Sequence, residues 1–142
     1  MRRFVRTAFL YALLGIAGGV FFREFTKWNG FEGKTTLSVM HTHFFVLGML
    51  VFLIAALFEK LVHLSDQKTG HAFFLVYNIG LMLTGLMLLI RGIMQTLSVP
   101  LTAGADAAIS GVSGLGHILL GTGIVLFFIA LLKCVPSHSK KG

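Results

Sequence analysis

Four long apolar stretches determine what this chain can fold into. They cover residues 4–22, 37–58, 72–94 and 112–132, and a bilayer is crossed by about 20 apolar residues in a helix. Of the 142 residues, 56% are hydrophobic and only 12% are charged, and the mean hydropathy is +0.87. Ordinary soluble domains do not have this composition. We therefore predict an all-α, polytopic membrane protein with a single domain of four transmembrane helices.

The basic residues lie mostly at the ends of the apolar stretches and predict the orientation of the chain. More of them lie on the side with both termini and the connection between the second and third spans: Arg2, Arg3, Arg6, Lys60, Lys68, Lys133, Lys140 and Lys141. The opposite side has Arg23, Lys27 and Lys34. The positive-inside rule then places both termini in the cytoplasm, as expected for a multi-pass protein of a bacterial inner membrane. This distribution accounts for the net charge of +7, so we expect the lipid bilayer and no nucleic acid as a partner.

Glycine and proline positions predict how the helices pack and connect. Gly15 and Gly19 form a small-xxx-small pair in the first span, which favours a close contact with another helix. The connection at residues 95–111 contains Pro100 and many small residues. We predict that this connection is irregular.

Three of the six histidines lie inside predicted spans: His41 and His43 in the second, and His117 in the fourth. Ionisable side chains at membrane depth are costly and indicate a functional site. Both spans begin on the same side, so the three histidines should reach a similar depth. His41 and His43 are two residues apart, which separates them by roughly 200° around a helix. They should therefore serve two sites on opposite faces instead of chelating one ion.

Small residues beside His117 indicate the kind of ligand. Gly114 and Gly121 precede and follow it at a spacing that puts all three on one helical face. This open surface suits a planar macrocycle better than a compact ion, so heme is the expected cofactor. Arg91, near the same end of the third span, could pair with the heme propionates. Interhelical hydrogen bonding is the alternative for each histidine, and snorkelling to the interface is the alternative for Arg91.

Residues 41–52 carry a resemblance to a known family. They read His-Thr-His-Phe-Phe-Val-Leu-Gly-Met-Leu-Val-Phe and resemble the two-histidine helix of the heme-copper oxidase catalytic subunit, His-Phe-His-Tyr-Val-Leu-Ser-Met-Gly-Ala-Val-Phe. In that family the first histidine ligates the high-spin heme and the second ligates the low-spin heme. The resemblance implies these two roles for His41 and His43. The oxidase subunit has three arcs of four helices, and this chain is similar to one arc and to small four-span bacterial membrane proteins of unknown function.

The departures from the oxidases limit the expected activity. There is no second helix with copper-binding histidines, and no His-Tyr pair at the spacing of the cross-linked tyrosine, so we do not expect oxygen reduction by one chain. The leading hypothesis is a membrane protein that binds b-type heme for electron transfer or for oxygen or nitric oxide chemistry. One alternative is copper or zinc handling by His41, His43 or His117. Another is a non-catalytic structural or assembly subunit.

The opposite faces of His41 and His43 also predict a homo-oligomer. Both cannot point into the centre of one small bundle, so one should face lipid or a neighbouring copy, and a neighbouring copy costs less. The three arcs of the oxidase favour a trimer. A heme would then be held by His43 of one chain and by His41 or His117 of the next.

Overall fold

Four long helices make up the computed structural model, which describes residues 1–134. Helix α1 covers Arg2–Trp28, α2 covers Leu37–Val62, α3 covers Lys68–Thr96 and α4 covers Ala103–Cys134. All four are long and apolar enough to cross a membrane, and the described part of the chain contains no strand. The prediction of an all-α, four-span membrane protein is confirmed. Lys140 and Lys141, used above to predict the orientation, lie outside the described residues.

The connection between α3 and α4 is shorter than predicted. Residues 95–111 were expected to be irregular, but α4 already begins at Ala103. Alanine is the strongest helix former, and this segment carries four alanines at positions 103, 105, 107 and 108. Thr102 Oγ1 accepts a hydrogen bond from the backbone N–H of Ala105 at 3.3 Å, and Asp106 lies in the first turn, where the helix dipole favours a negative charge. Small residues that resembled a loop are therefore the start of a helix.

Helix α2 lies between α1 and α3, and its contact with α1 depends on glycine. A Cβ atom at Gly15 would lie 2.9 Å from the ring of Phe45, and one at Gly19 would lie 3.8 Å from the side chain of His41. The predicted helix contact at these two glycines is confirmed. Because the glycines carry no side chain, α2 places an aromatic ring and an imidazole directly against α1.

Helices α3 and α4 pack along their length through a second set of glycines. A Cβ atom at Gly116 would lie 2.6 Å from Thr84 Oγ1, and one at Gly123 would lie 2.8 Å from Tyr77 Cβ. Both positions are buried. The absence of side chains there lets the two helices approach closely.

Hydrogen bonds between helices join several polar groups of the core. The Tyr11 hydroxyl of α1 donates to Asn78 Oδ1 of α3 at 2.8 Å, and the Tyr77 hydroxyl donates to the backbone carbonyl of Leu47 in α2 at 2.8 Å. Both tyrosines are buried and surround the ring of Phe52. Unpaired polar groups cost several kcal/mol in hydrocarbon, so these bonds fix α1 and α2 against α3.

Helix α2 changes its winding immediately after His43. Leu37–His43 is α-helical, Phe44–Leu50 is π-helical and Val51–Val62 is α-helical again. Within the π-helical segment Gly48 is buried against Tyr11. A Cβ atom at this position would lie only 2.5 Å from the Tyr11 ring. The wider turn coincides with the acceptance of the Tyr77 hydrogen bond by Leu47. Such segments occur frequently at functional sites.

Helix α4 has glycines that pack against α3 and glycines that face open space, and this difference predicts opposite effects on stability. In Gly123→Ala the new methyl group would meet both the backbone and the Cβ of Tyr77, so we expect a loss of about 1–3 kcal/mol from overpacking. The matched control is Gly121→Ala, which meets nothing within 4 Å and should be neutral or slightly stabilising. The free energy of unfolding by SDS in mixed micelles measures both. Equal losses in the two variants would contradict the packing of α4 on α3.

Candidate functional site

His43 of α2 and His117 of α4 lie side by side. Their ring centroids are 6.3 Å apart and their planes are nearly perpendicular, at 88°. The two residues come from different helices that make few other contacts at this level. His43 is half-buried and His117 is exposed on the surface of the bundle. The structure therefore brings together two of the three histidines singled out in the sequence.

Each imidazole of this pair is anchored to its own helix. Nδ1 of His43 lies 2.8 Å from the carbonyl oxygen of Val39, and Nδ1 of His117 lies 2.8 Å from the carbonyl oxygen of Ser113. A carbonyl only accepts hydrogen bonds, so Nδ1 carries the proton in both rings. In the neutral imidazole Nε2 then has a free lone pair, which is the form that binds a metal. Backbone acceptors of this kind orient histidine ligands in metal proteins.

The surface around His117 is open, as the sequence predicted. A Cβ atom at Gly114 or at Gly121 would meet nothing within 4 Å. Further along the helices, an open apolar cavity of about 330 Å³ lies between α2 and α4, lined by Val51, Ile54, Phe58, Ile124, Phe127, Phe128 and Leu131. Neither histidine lines this cavity, whose first residue on α4, Ile124, lies seven residues or about 10 Å beyond His117.

His41 lies apart from this pair, on the side of α2 that packs against α1. Its side chain is next to Gly19, and its ring makes an edge contact with Phe45 at 6.5 Å between centroids. Its Nδ1 atom is buried and has no hydrogen-bond partner among the described residues. The prediction that His41 and His43 lie on different faces of one helix is confirmed.

The expectation that one of these two histidines faces lipid or a neighbouring copy stays a prediction, since each has a neighbour within the chain but neither is fully buried. Within one chain, His41 lies against Gly19 of α1, and His43 lies beside His117 of α4. Which helix packs beside each histidine was not deducible from the spans alone. Both imidazoles therefore have neighbours in one protomer.

Arg91 lies in an ion pair at the end of α3. Its Nη2 donates to Asp106 Oδ1 at 2.9 Å and to Ser110 Oγ at 2.7 Å, both on α4. The sequence gives no signal for Asp106 and Ser110 as partners, since both lie in the connection predicted to be irregular. Ser110 and His117 are two turns apart on one helix, or about 10 Å. The guanidinium is therefore on the α4 side of α3, beyond the histidine pair.

The pair offers two imidazole nitrogens, and no third candidate ligand lies with them in the described part of the chain. Among residues 1–134 no group of three or more His, Cys, Asp or Glu side chains is placed to hold one metal ion. Two imidazoles on separate helices can ligate an ion that takes its remaining ligands from elsewhere, as the iron of a heme does from its macrocycle.

A family model matches residues 1–134, which is the whole described part of the chain. The chain belongs to the family described as Protein of unknown function (DUF2871). No curated protein and no solved structure matches it. The resemblance to a small four-span membrane protein of unknown function is thus confirmed at the level of the family. The finer likeness of this DUF2871 chain to the oxidases still depends on residues 41–52 alone.

The geometry of the pair generates a cross-linking prediction. With Cys134→Ser as background, the double variant His43→Cys and His117→Cys should be bridged by a short bifunctional thiol reagent, because the two native rings are 6.3 Å apart. The matched control replaces His41 instead of His43, which puts one thiol on the α1 side of α2. Intact mass measures the bridged fraction. Equal bridging of both double variants would contradict the arrangement of the three histidines.

Proposed function

We propose that the chain binds heme between α2 and α4, with His43 and His117 as its axial ligands. The observation that carries this proposal is the separation of the two anchored rings, 6.3 Å between centroids. Two imidazoles on opposite sides of one metal, with metal–nitrogen bonds of about 2 Å, have centroids roughly 6 to 6.5 Å apart. Both Nδ1 atoms are already committed to backbone carbonyls, so each ring offers Nε2.

The surroundings of the pair support a planar ligand. Gly114 and Gly121 leave the surface beside His117 free of side chains, and an apolar cavity lies between the same two helices about 10 Å further along. An imidazole exposed toward hydrocarbon is costly, and iron ligation would satisfy its nitrogen. The composition of the site thus favours a large apolar ring over a hydrated ion.

Arg91 is the proposed partner of the heme propionates. Its Nη2 is held by Asp106 and Ser110, which fixes the guanidinium at the end of α3. Within the described residues its Nε and Nη1 groups have no hydrogen-bond partner, and an arginine has five N–H donors. Those groups could bind carboxylates while Asp106 remains in place.

Electron transfer is the activity that two histidine ligands support best. A heme with both axial positions filled is a low-spin redox centre, whereas oxygen or nitric oxide binding needs a free position. The hydrogen bond at Nδ1 holds each ring in place on its helix. It therefore opposes the movement of a ring away from iron that a gas ligand would require. The likeness of residues 41–52 to the oxidase helix supports the same role, since it implies His43 as the low-spin ligand. His41, the high-spin ligand in that likeness, faces α1.

Copper or zinc handling is the second candidate, favoured by the same two free Nε2 atoms. Imidazole binds both metals well. Two ligands alone hold such an ion weakly, and the described residues supply no third, so a partner or solvent would have to complete the site. A structural or assembly subunit remains the third hypothesis.

The proposed location is the inner membrane of a bacterium, with both termini in the cytoplasm. It rests on the distribution of lysine and arginine between the two ends of the spans. The ends of α1, α2 and α3 that contain Arg2, Lys60 and Lys68 would then meet the cytoplasmic leaflet.

Heme binding is tested by the absorption spectrum of the purified protein after expression with heme supply. We expect a Soret band, and we expect His43→Ala or His117→Ala to weaken heme affinity at least about tenfold and so to lower heme content, because even residues that only orient metal ligands contribute 10- to 100-fold to affinity. Gly121→Leu should also lower heme occupancy by filling the open surface beside His117.

His41→Ala is the matched control for this experiment. It removes an imidazole from the same helix but on the α1 side, so heme occupancy should be retained. Unchanged heme content in both His43→Ala and His117→Ala would refute the proposed ligands. A colourless protein with copper or zinc by elemental analysis would favour the metal-handling function, and a colourless metal-free protein would favour the structural one.

The proposed working unit is a homo-oligomer, and a trimer is favoured by the three arcs of the oxidase subunit. The exposed side of α4 supports close association, since Gly111, Gly114 and Gly121 have open space around them and small residues allow helices to approach in lipid. Native mass spectrometry in mild detergent should show three heme-loaded chains. A monomer that keeps its full spectrum would exclude a site shared between subunits and would leave the intrachain pair as the ligands.

A further inference from the structure

A basic cavity lies at the start of α1. It has a volume of about 450 Å³ and is lined by Met1, Arg2, Val5 and Arg6. Arg2 and Arg6 are one helical turn apart, so their side chains share a face. Both are exposed, and neither forms an ion pair within the described residues. The cavity therefore carries two guanidinium groups whose charge no acid of residues 1–134 neutralises.

The acid at this end of α2 is already engaged elsewhere. Glu59 Oε1 lies 3.4 Å from the amino group of Met1, and Oε2 accepts a hydrogen bond from the backbone N–H of Ser65 at 2.7 Å. These contacts hold the start of α1 against the end of α2. They leave Arg2 and Arg6 to face an external anion.

A second, apolar cavity adjoins the basic one and shares Val5 with it. It has a volume of about 230 Å³ and lies between α1 and α2, lined by Val5, Ala8, Phe9, Ala12, Met49 and Leu53. From Arg2 to Ala12 the helix rises about 15 Å. The two cavities together form a cleft that is basic at the end of the bundle and apolar toward its middle.

We infer that this cleft binds an anionic phospholipid, with its phosphate on Arg2 and Arg6 and an acyl chain between α1 and α2. Arginine pairs with phosphate by two parallel hydrogen bonds, and basic clusters at the end of a span attract anionic headgroups. The apolar continuation at Val5 distinguishes a lipid from free phosphate, which would use only the basic part. This inference is independent of the proposed heme.

Arg3 provides a contrast within the same turn of α1. Its guanidinium carbon lies 4.2 Å from the ring centroid of Phe74 on α3, and it does not line the basic cavity. Lys60 is exposed at the same end of the bundle and is also outside the cavity. These two residues carry the same charge as Arg2 and Arg6 without the proposed lipid contact.

Native mass spectrometry tests the inference on the full chain in mild detergent, with phosphatidylglycerol and phosphatidylcholine of identical acyl chains. We expect tighter binding of phosphatidylglycerol, weakened about fivefold by Arg2→Gln and about fivefold by Arg6→Gln, which corresponds to about 1 kcal/mol per basic residue at a membrane surface. Lys60→Gln and Arg3→Gln should bind the lipid as the wild type does. Equal binding of both lipids, or equal weakening in all four variants, would overturn the inference.

The apolar part of the cleft is tested separately. Ala12→Leu should fill the cavity and weaken phosphatidylglycerol binding, and in the wild-type protein a short-chain phosphatidylglycerol should bind more weakly than a long-chain one. The second measurement needs no variant and is unaffected by any folding defect. If glycerol phosphate alone competes as well as the long-chain lipid, the site is one for soluble phosphate and the lipid assignment is wrong.

Discussion

A polar side chain at membrane depth is costly without a partner inside the protein, and this cost explains how the two rings of the histidine pair are held. Water is absent from the hydrocarbon, so an unpaired N–H group is costly there. His43 and His117 each satisfy Nδ1 with a carbonyl of their own helix, four residues earlier. The same requirement joins Tyr11 to Asn78. Because the Nδ1 atoms bond to carbonyls of their own helices, both Nε2 atoms are left for a ligand. The proposed function depends on these two Nε2 atoms.

The glycines of α4 have two different effects: some allow close packing on α3, and others leave a surface open. On one face of α4, Gly116 and Gly123 are buried and let α3 approach until backbone and side chains touch. Gly114 and Gly121, on another face, have open space around them. Both sets omit a side chain, but only the first set stabilises the bundle. Close packing on α3 makes α4 a rigid support, and the open face leaves His117 accessible, so a single helix can hold a ligand without giving up its packing.

The sequence predicts the helices well because long apolar stretches have one stable form in a bilayer, and it predicts the separation of His41 and His43 because helical geometry fixes it. It fails where tertiary contacts decide. The alanine-rich segment around Asp106 has the small residues of a loop, and composition alone does not reveal that Asp106 pairs with Arg91. The π-helical segment after His43 has no sequence signal, because it accompanies the packing of Gly48 against Tyr11. The sequence also gives no signal for which helices pack together, so it does not predict that His43 and His117 of one chain lie side by side.

The edge position of the histidine pair determines how the proposed site can be reached. His117 is exposed on the side of the bundle that would face lipid, and no side chain of the described residues covers Gly114 or Gly121. A reactant dissolved in water would have to cross the headgroups and part of the hydrocarbon to arrive there. A reaction at this site therefore requires a reactant that dissolves in the bilayer, or an electron carrier that is itself held in the membrane beside α4. The same open surface would let a second copy of the chain cover the site. Whether a reactant can reach the proposed heme therefore depends on whether another copy packs against α4.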